Sequence, residues 1–330
     1  MTRSTFKPRP EQMALYPDVS GNTINGLGDA ERRQPSYVYW GNSPDDVAHG
    51  DVQRWFYTVD PGLDGYGEER ARRAAIIDAP LTPLAETPKA VTEADFASFT
   101  QAGLDAGDFD KIGVAAFDPV WAFEGVEIGF KHVVVMGFHH DFEEISKAPA
   151  PEGGLEVMRQ YRRAAQGAMT VANWLRAQGW EAEPLTGPMS GKMTMIPAAL
   201  ASGFGELGKH GSLITPEFGS SFRLSAVLTD CPLPLSAPVD HGIDDFCLNC
   251  RVCEDACPPE AIAPDKQLVR GEVKWYVDFD KCLPFFNEHQ GCAVCLAVCP
   301  WSRPGVGPRL ADKLERRRVR KLAAKSAKHS

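Results

Sequence analysis

Eight of the nine cysteines in this chain of 330 residues crowd one C-terminal stretch. Cys247, Cys250, Cys253 and Cys257 are followed by Pro258, and Cys282, Cys292, Cys295 and Cys299 by Pro300. Thiolates in this rhythm hold iron. The first run is C-x2-C-x2-C-x3-C-P, in which three thiolates ligate one 4Fe-4S cluster and the fourth reaches across to a second. The second run closes on the same x3-C-P but lacks a leading cysteine, which Cys282 supplies from upstream. Cross-ligation assigns Cys247, Cys250, Cys253 and Cys299 to one cluster and Cys257, Cys282, Cys292 and Cys295 to the other. The chemistry is one-electron transfer. Zinc knots also use C-x2-C, but they need no C-x3-C-P ending, and disulfide-dense chains are small and secreted. Cys231 lies outside both runs and reads as a small buried hydrophobe.

The elements that must position these thiols, and whatever they serve, begin near residue 111. Ile112–Phe117 and His132–Gly137 are short β-rich runs of the kind buried strands show. Val157, Tyr161, Ala164, Ala168, Val171 and Leu175 recur at helical spacing, so a helix is expected over 155–178 with Gly179 as its stop. Trp180–Pro184 enters another strand, 193–202 is helical, and Arg223–Leu228 is a further strand. The first hundred residues are rich in Pro, Gly, Arg and aromatics and short of periodic segments. They read as an arm or cap. The expected division is an arm over 1–110, an α/β domain over 111–240, a cysteine domain over 241–308 and a basic tail over 309–330.

Composition sets further bounds. The chain is long enough for two domains with a sizeable core, and 43% apolar with 24% charged residues is ordinary globular composition. No apolar run is long enough to span a bilayer. The start, Met1 to Lys7, has one arginine where a twin-arginine export signal has two, and Pro8, Pro10 and Glu11 follow where an apolar stretch belongs. A cytoplasmic location is expected, as reduced clusters favour. Net charge is −9, which argues against non-specific nucleic-acid binding. The stretch Lys313 to Lys328 is basic against that trend and reads as a solvated helical tail, because no aromatic residues interleave its charges.

Two motifs are set aside. Gly203-Phe-Gly205-Glu-Leu-Gly208 matches G-x-G-x-x-G, but a dinucleotide site needs that motif to follow a strand and open a helix, whereas a helix end precedes it here. His139, His140, Asp141, Glu143 and Glu144 could in principle ligate a metal, yet at a strand end they read as a polar loop.

The segment Gly203 to Gly219, with Arg223 and then Leu228-Thr-Asp230-Cys-Pro-Leu233, resembles the signature stretch of corrinoid-dependent reductive dehalogenases. Their relatives, the epoxyqueuosine reductases, carry a similar stretch. Phe246-Cys247, Lys274-Trp275, Asp280-Lys-Cys282 and Cys299-Pro-Trp301-Ser302 agree with it, so the resemblance covers about residues 111 to 305. It implies an α/β (α+β) fold in which a nitroreductase-like core holds a cobalamin, beside a bacterial-ferredoxin-like domain with two 4Fe-4S clusters. The clusters would take electrons from a low-potential donor such as a ferredoxin, a flavodoxin or a reductase. The substrate would be a small organohalide.

The resemblance also implies roles for single residues. Tyr161 would give the proton, paired with a basic residue for which Arg223 is the first candidate and Lys209 the second. Met189 stands where epoxyqueuosine reductases place an acidic residue, and a thioether cannot act as a general acid. That favours the dehalogenase branch. The backbone at Gly203, Gly205, Gly208, Gly211, Ser212, Gly219 and Ser220 would line the corrinoid, since glycine allows close approach of main chain to a flat ligand. Two other readings stay open: a diverged member that reduces a non-halogenated substrate, as epoxyqueuosine reductases do, and a non-catalytic ferredoxin-like electron carrier.

Overall fold

The computed structural model describes residues 6–41, 43–187 and 191–326. Its centre is a four-stranded antiparallel sheet, in the order β1 (Lys111–Ala116), β2 (His132–His139), β6 (Phe222–Thr229) and β3 (Ala182–Leu185). β2 is apolar along nearly its whole length because both faces of the sheet are covered. Val134, Met136 and Phe138 point into one core cluster and Val133 and Val135 into the other. The expected strands are all present.

The first face carries the long helix Pro151–Ala177. Proline at its first turn needs no N–H partner, and Gly179, at φ +84°, lets the chain turn back after it. Four of its buried residues are alanines, Ala164, Ala165, Ala168 and Ala172, so the helix axis lies close to the strands. Gly167 is the tightest point: a Cβ there would stand 2.6 Å from the Phe138 ring and 2.7 Å from the Asp108 carbonyl oxygen. The second face is closed by the helix Met195–Ala201 and by Phe204. The Gly203 to Gly208 stretch then runs into a two-strand ribbon, β4 (Glu206–Leu207) and β5 (Leu213–Ile214), and opens no helix.

The first hundred residues contain more regular structure than their composition suggests. Tyr66–Ile77 and Glu93–Ala106 are helices. The latter begins with a reciprocal capping box between Thr92 and Asp95 and sends Phe96 and Phe99 into the sheet's core. Tyr66–Ile77 lies on the long helix, held by the Arg162–Glu69 ion pair at 2.6 Å and by the Tyr66 hydroxyl donating to the Pro151 carbonyl at 2.7 Å. The segment before residue 60 clasps the cysteine-rich part: Tyr39 Oη donates to Asn287 Oδ1 at 2.7 Å, and Gln12 donates to the Pro284 carbonyl and accepts from Asn287.

That cysteine-rich part is built of short helices, Ile243–Asn249, Val252–Ala256, Phe279–Glu288 and Val294–Ala297, with a hairpin over Gln267–Lys274. The basic stretch forms the helix Val306–Ser326, whose Leu310, Ala311 and Leu314 pack on Trp301 and Phe246 while Arg309, Arg316 and Arg317 stay exposed. Lys328 lies outside the described residues. Among the described residues no helix is long and apolar enough to cross a membrane.

Candidate functional site

None of the nine cysteines is in a disulfide. Cys231 is fully buried in the sheet's core cluster, where burial pushes its thiol up to about 11. The other eight fall into two groups. Cys247, Cys250, Cys253 and Cys299 line one small hollow. Cys257, Cys282, Cys292 and Cys295 line part of a cavity of about 810 Å³. Cys257 and Cys299 have thus exchanged places relative to their runs, because the helices Val252–Ala256 and Val294–Ala297 pack together and each sends its following cysteine across. Burial pushes Cys247, Cys253 and Cys282 up to about 12 and Cys292 up to about 11. Such thiols keep their protons at neutral pH unless a cation replaces them. The donor set fits iron-sulfur clusters, and the Ala261 amide already donates to Cys257 Sγ at 3.3 Å.

Tyr161 from the long helix and Arg223 from β6 line the same cavity. The guanidinium carbon of Arg223 lies 5.2 Å from the centre of the Tyr161 ring. Arg223 Nε is buried with no hydrogen-bond partner. His210, Gly211 and Ser212 contribute to the cavity's wall. His210 accepts from the Ser212 amide through Nδ1 at 3.2 Å, and its Nε2 is buried without a partner. Burial lowers His210 to about 4, so the ring is neutral at physiological pH. It lines both the cavity and the smaller hollow.

The residues present fit a large flat cofactor with a polar rim. The cavity lies within the size range of ligand clefts, Gly211 and Ser212 offer main chain, and His210 Nε2 and Arg223 Nε are polar atoms that only a ligand or water can satisfy. Of the seven backbone positions expected to line such a cofactor, however, the cavity wall contains only Gly211 and Ser212. The others serve the protein's own packing. A Cβ at Gly203 would meet the Ala237 carbonyl oxygen at 2.5 Å, one at Gly205 the Ile214 carbonyl oxygen at 2.0 Å, one at Gly208 the Ile214 side chain at 2.5 Å, and one at Gly219 the Ser302 amide at 2.3 Å. Ser220 Oγ pairs with Ser302 Oγ at 3.0 Å and also bonds to Cys299, so it faces the first cysteine group.

Lys209 is likewise not beside Tyr161. Its Nζ lies 3.5 Å from Glu254 and 5.2 Å from the Trp275 ring, and its amide donates to Cys247. The turn joining β4 to β5 explains this: residue 209 faces the cysteines, and 210 to 212 face the cavity. The histidines after β2 are not an open loop either. His140 is fully buried with Nδ1 at 3.3 Å from Ser221 Oγ, His139 stacks on Phe218, and Asp141 caps the following turn. Met189 lies outside the described residues. Arg73 and Tyr57, from the first hundred residues, also line the cavity and had no signal in the sequence beyond their charge and aromaticity.

The 4Fe-4S dicluster domain family matches residues 246–302. A tetrachloroethene reductive dehalogenase of Desulfitobacterium hafniense is 33% identical over 215 residues, which is 61% of this chain and 38% of that protein. That of Sulfurospirillum multivorans is 30% identical over 185 residues, covering 53% of this chain and 36% of its own. An epoxyqueuosine reductase of Cellulophaga algicola is 34% identical over 122 residues, 32% of this chain and 36% of that protein. The solved catabolic reductive dehalogenase NpRdhA, in complex with 3-bromo-4-hydroxybenzoic acid, superposes with a TM-score of 0.71 at 22% identity, over 93% of this chain and 48% of that one. A reductive dehalogenase structure described as suggesting a mechanism for B12-dependent dehalogenation gives 0.70 at 23%, over 97% and 49%. The chain therefore shares the α/β fold of these structures and spans half or less of the length of the relatives it matches.

Proposed function

We propose that this chain, a relative of the reductive dehalogenases, is an iron-sulfur oxidoreductase that removes halogen from a small organohalide, using a corrinoid held in the central cavity. One observation carries the reading. Tyr161, Arg223 and four cysteines line a single cavity, so an electron source and a proton source face the same space.

The overall change is balanced by two electrons and one proton: the carbon–halogen bond breaks, a carbon–hydrogen bond forms and halide leaves. When bound, the clusters would relay electrons singly and the corrinoid would supply the low-potential metal at which the carbon–halogen bond is cleaved. The protein's own contribution is position, charge and the proton. Tyr161 Oη holds the proton. Arg223, cationic over the phenol ring, favours negative charge developing on the oxygen or on the departing halide. His210, neutral and buried, separates the first cysteine group from the cavity by one side chain and offers Nε2 to the cofactor's rim. Gly211 and Ser212 present main chain to it. The 241–308 part would feed electrons inward from a low-potential donor, and the cytoplasm provides the reducing conditions the clusters need.

The test is anaerobic reconstitution with iron, sulfide and hydroxocobalamin, followed by an assay of halide release from haloaromatics with reduced viologen. Halide release that depends on cobalamin is expected. Assembly of both clusters with no corrinoid bound would reduce the chain to an electron carrier. A bound corrinoid with turnover of an epoxide and none of an organohalide would place it with the epoxyqueuosine reductases.

A further inference from the structure

The helix Tyr66–Ile77 carries three arginines at its middle, and two of them are accounted for. Arg70 donates to Gln290 Oε1 at 3.0 Å, and Arg72 pairs with Glu68 and with Glu69. Glu69, the acid of this helix that lines the cavity, is further taken by Arg162 at 2.6 Å. Arg73 is different. Its Nη2 donates to the Thr186 carbonyl at 3.3 Å, its Nε is buried with no partner, and among the described residues no carboxylate lies within ion-pair distance of it. It lines the same cavity as Tyr161. A Cβ at Gly187 would sit 3.5 Å from Tyr161 Cδ1 and 3.9 Å from Arg73 Nη2, so the phenol and this guanidinium approach each other across a glycine.

A guanidinium keeps its charge in a protein, and burying it without a counter-ion destabilises the fold. The chain is acidic overall, at −9, and still no carboxylate has been placed here. The ligand is then the natural source of the missing anion. The cavity wall also includes Trp40, Phe56, Tyr57 and Phe286, with Trp40 edge-on to Phe56 at 5.5 Å and Phe286 stacked on Phe56 at 5.9 Å. Rings of this kind take a flat apolar body.

We propose that Arg73 is a substrate-binding residue that receives an oxyanion, so that the cavity selects aromatic compounds bearing a carboxylate over neutral ones. This rests on the dehalogenase reading for the reaction but not for the binding, and the two fail separately. A corrinoid's phosphate is the other oxyanion that could reach Arg73, and the test separates it from the substrate's.

The experiment uses the protein with clusters and corrinoid assembled, oxidised so that nothing turns over, and titrates it calorimetrically with benzoate and with benzamide, its neutral isostere. Benzoate is expected to bind at least about tenfold tighter, as a charge-assisted contact provides. Arg73→Gln should abolish that preference and Arg73→Lys keep part of it, with corrinoid content unchanged in both. Under reduction, Arg73→Gln should raise KM for a halobenzoate about tenfold or more and change KM for a neutral haloarene far less. Equal affinity of the unaltered protein for benzoate and benzamide would overturn the proposal, as would an undiminished preference in Arg73→Gln. Loss of corrinoid from Arg73→Gln would assign the residue to the cofactor and overturn it too. Selective benzoate binding without any halide release would support this proposal and sink the dehalogenase reading alone.

Discussion

The guanidinium of Arg223 sits over the Tyr161 ring, with 5.2 Å between its carbon and the ring centre. β6 and the long helix bring them there by packing directly on each other, since the buried alanines of the helix let it lie close to the sheet. On the proposed reading Tyr161 is a general acid, and such a group contributes about 10²- to 10⁴-fold to rate. Tyr161→Phe is therefore expected to lower kcat for halide release within that range while leaving cluster and corrinoid spectra intact. Arg223→Met should lower kcat with KM for a neutral haloarene little changed. A Tyr161→Phe protein with full activity would remove the phenol from the chemistry.

The crossed placement of the cysteines makes an unusual pair of variants informative. Cys257→Ser lies in the first run and should destroy the cluster that faces the cavity, along with Cys282, Cys292 and Cys295. Cys299→Ser lies in the second run and should destroy the other. Each variant is expected to keep half of the iron, and electron paramagnetic resonance of the two should show complementary signals. Identical signals from Cys257→Ser and Cys253→Ser would contradict the crossing.

Lys209 places a positive charge beside the first cysteine group and does not line the cavity that holds Tyr161. Lys209→Gln should lower the midpoint potential of that cluster, because a nearby cation favours the more negatively charged reduced form. At the distances involved the shift is on the order of tens of millivolts, readable by a redox titration, with KM unaffected. A changed KM with an unmoved potential would return Lys209 to the substrate.

His140 is fully buried, and burial, followed by the charge of Arg223, holds its pKa well below 6.5. The unfolded chain takes up this proton near pH 6.5 while the folded chain refuses it. Stability from this group is thus complete above pH 6.5 and declines as pH falls below it, by up to about 1.4 kcal/mol per pH unit. Urea melts at pH 7.5 and 5.5 should show a smaller difference in His140→Phe than in the unaltered protein. An equal difference in the two would assign the acid sensitivity to other groups.

The strands are legible as short β-rich apolar runs, the long helix because its apolar residues recur every three or four positions, and the cysteine runs because iron tolerates few spacings. Tyr66–Ile77 is not, because Glu68, Glu69, Arg70, Arg72 and Arg73 leave it with little apolar face. Thr92 and Asp95 spell a capping box, a local signal that composition alone does not register. The glycines misled in another way. Gly205 and Gly219 do mark close approach, as expected of them, but a sequence cannot say what approaches, and here it is the chain's own backbone. Lys209 lines the hollow of the first cysteine group, while its neighbour His210 lines both that hollow and the cavity, a distinction only the ribbon's turn decides.

Glu206 at the start of the ribbon accepts from the amides of His241, Ile243 and Asp244 at 2.7, 3.1 and 2.9 Å. One carboxylate thereby rivets the strand pair carrying His210 to the first turn of the helix that bears Cys247. A joint fastened this way resists relative movement, so the separation between the thiols of the first cysteine group and the central chamber is set when the chain folds. On the proposed reading, control over electron delivery would then act at the outer surface, when a donor arrives.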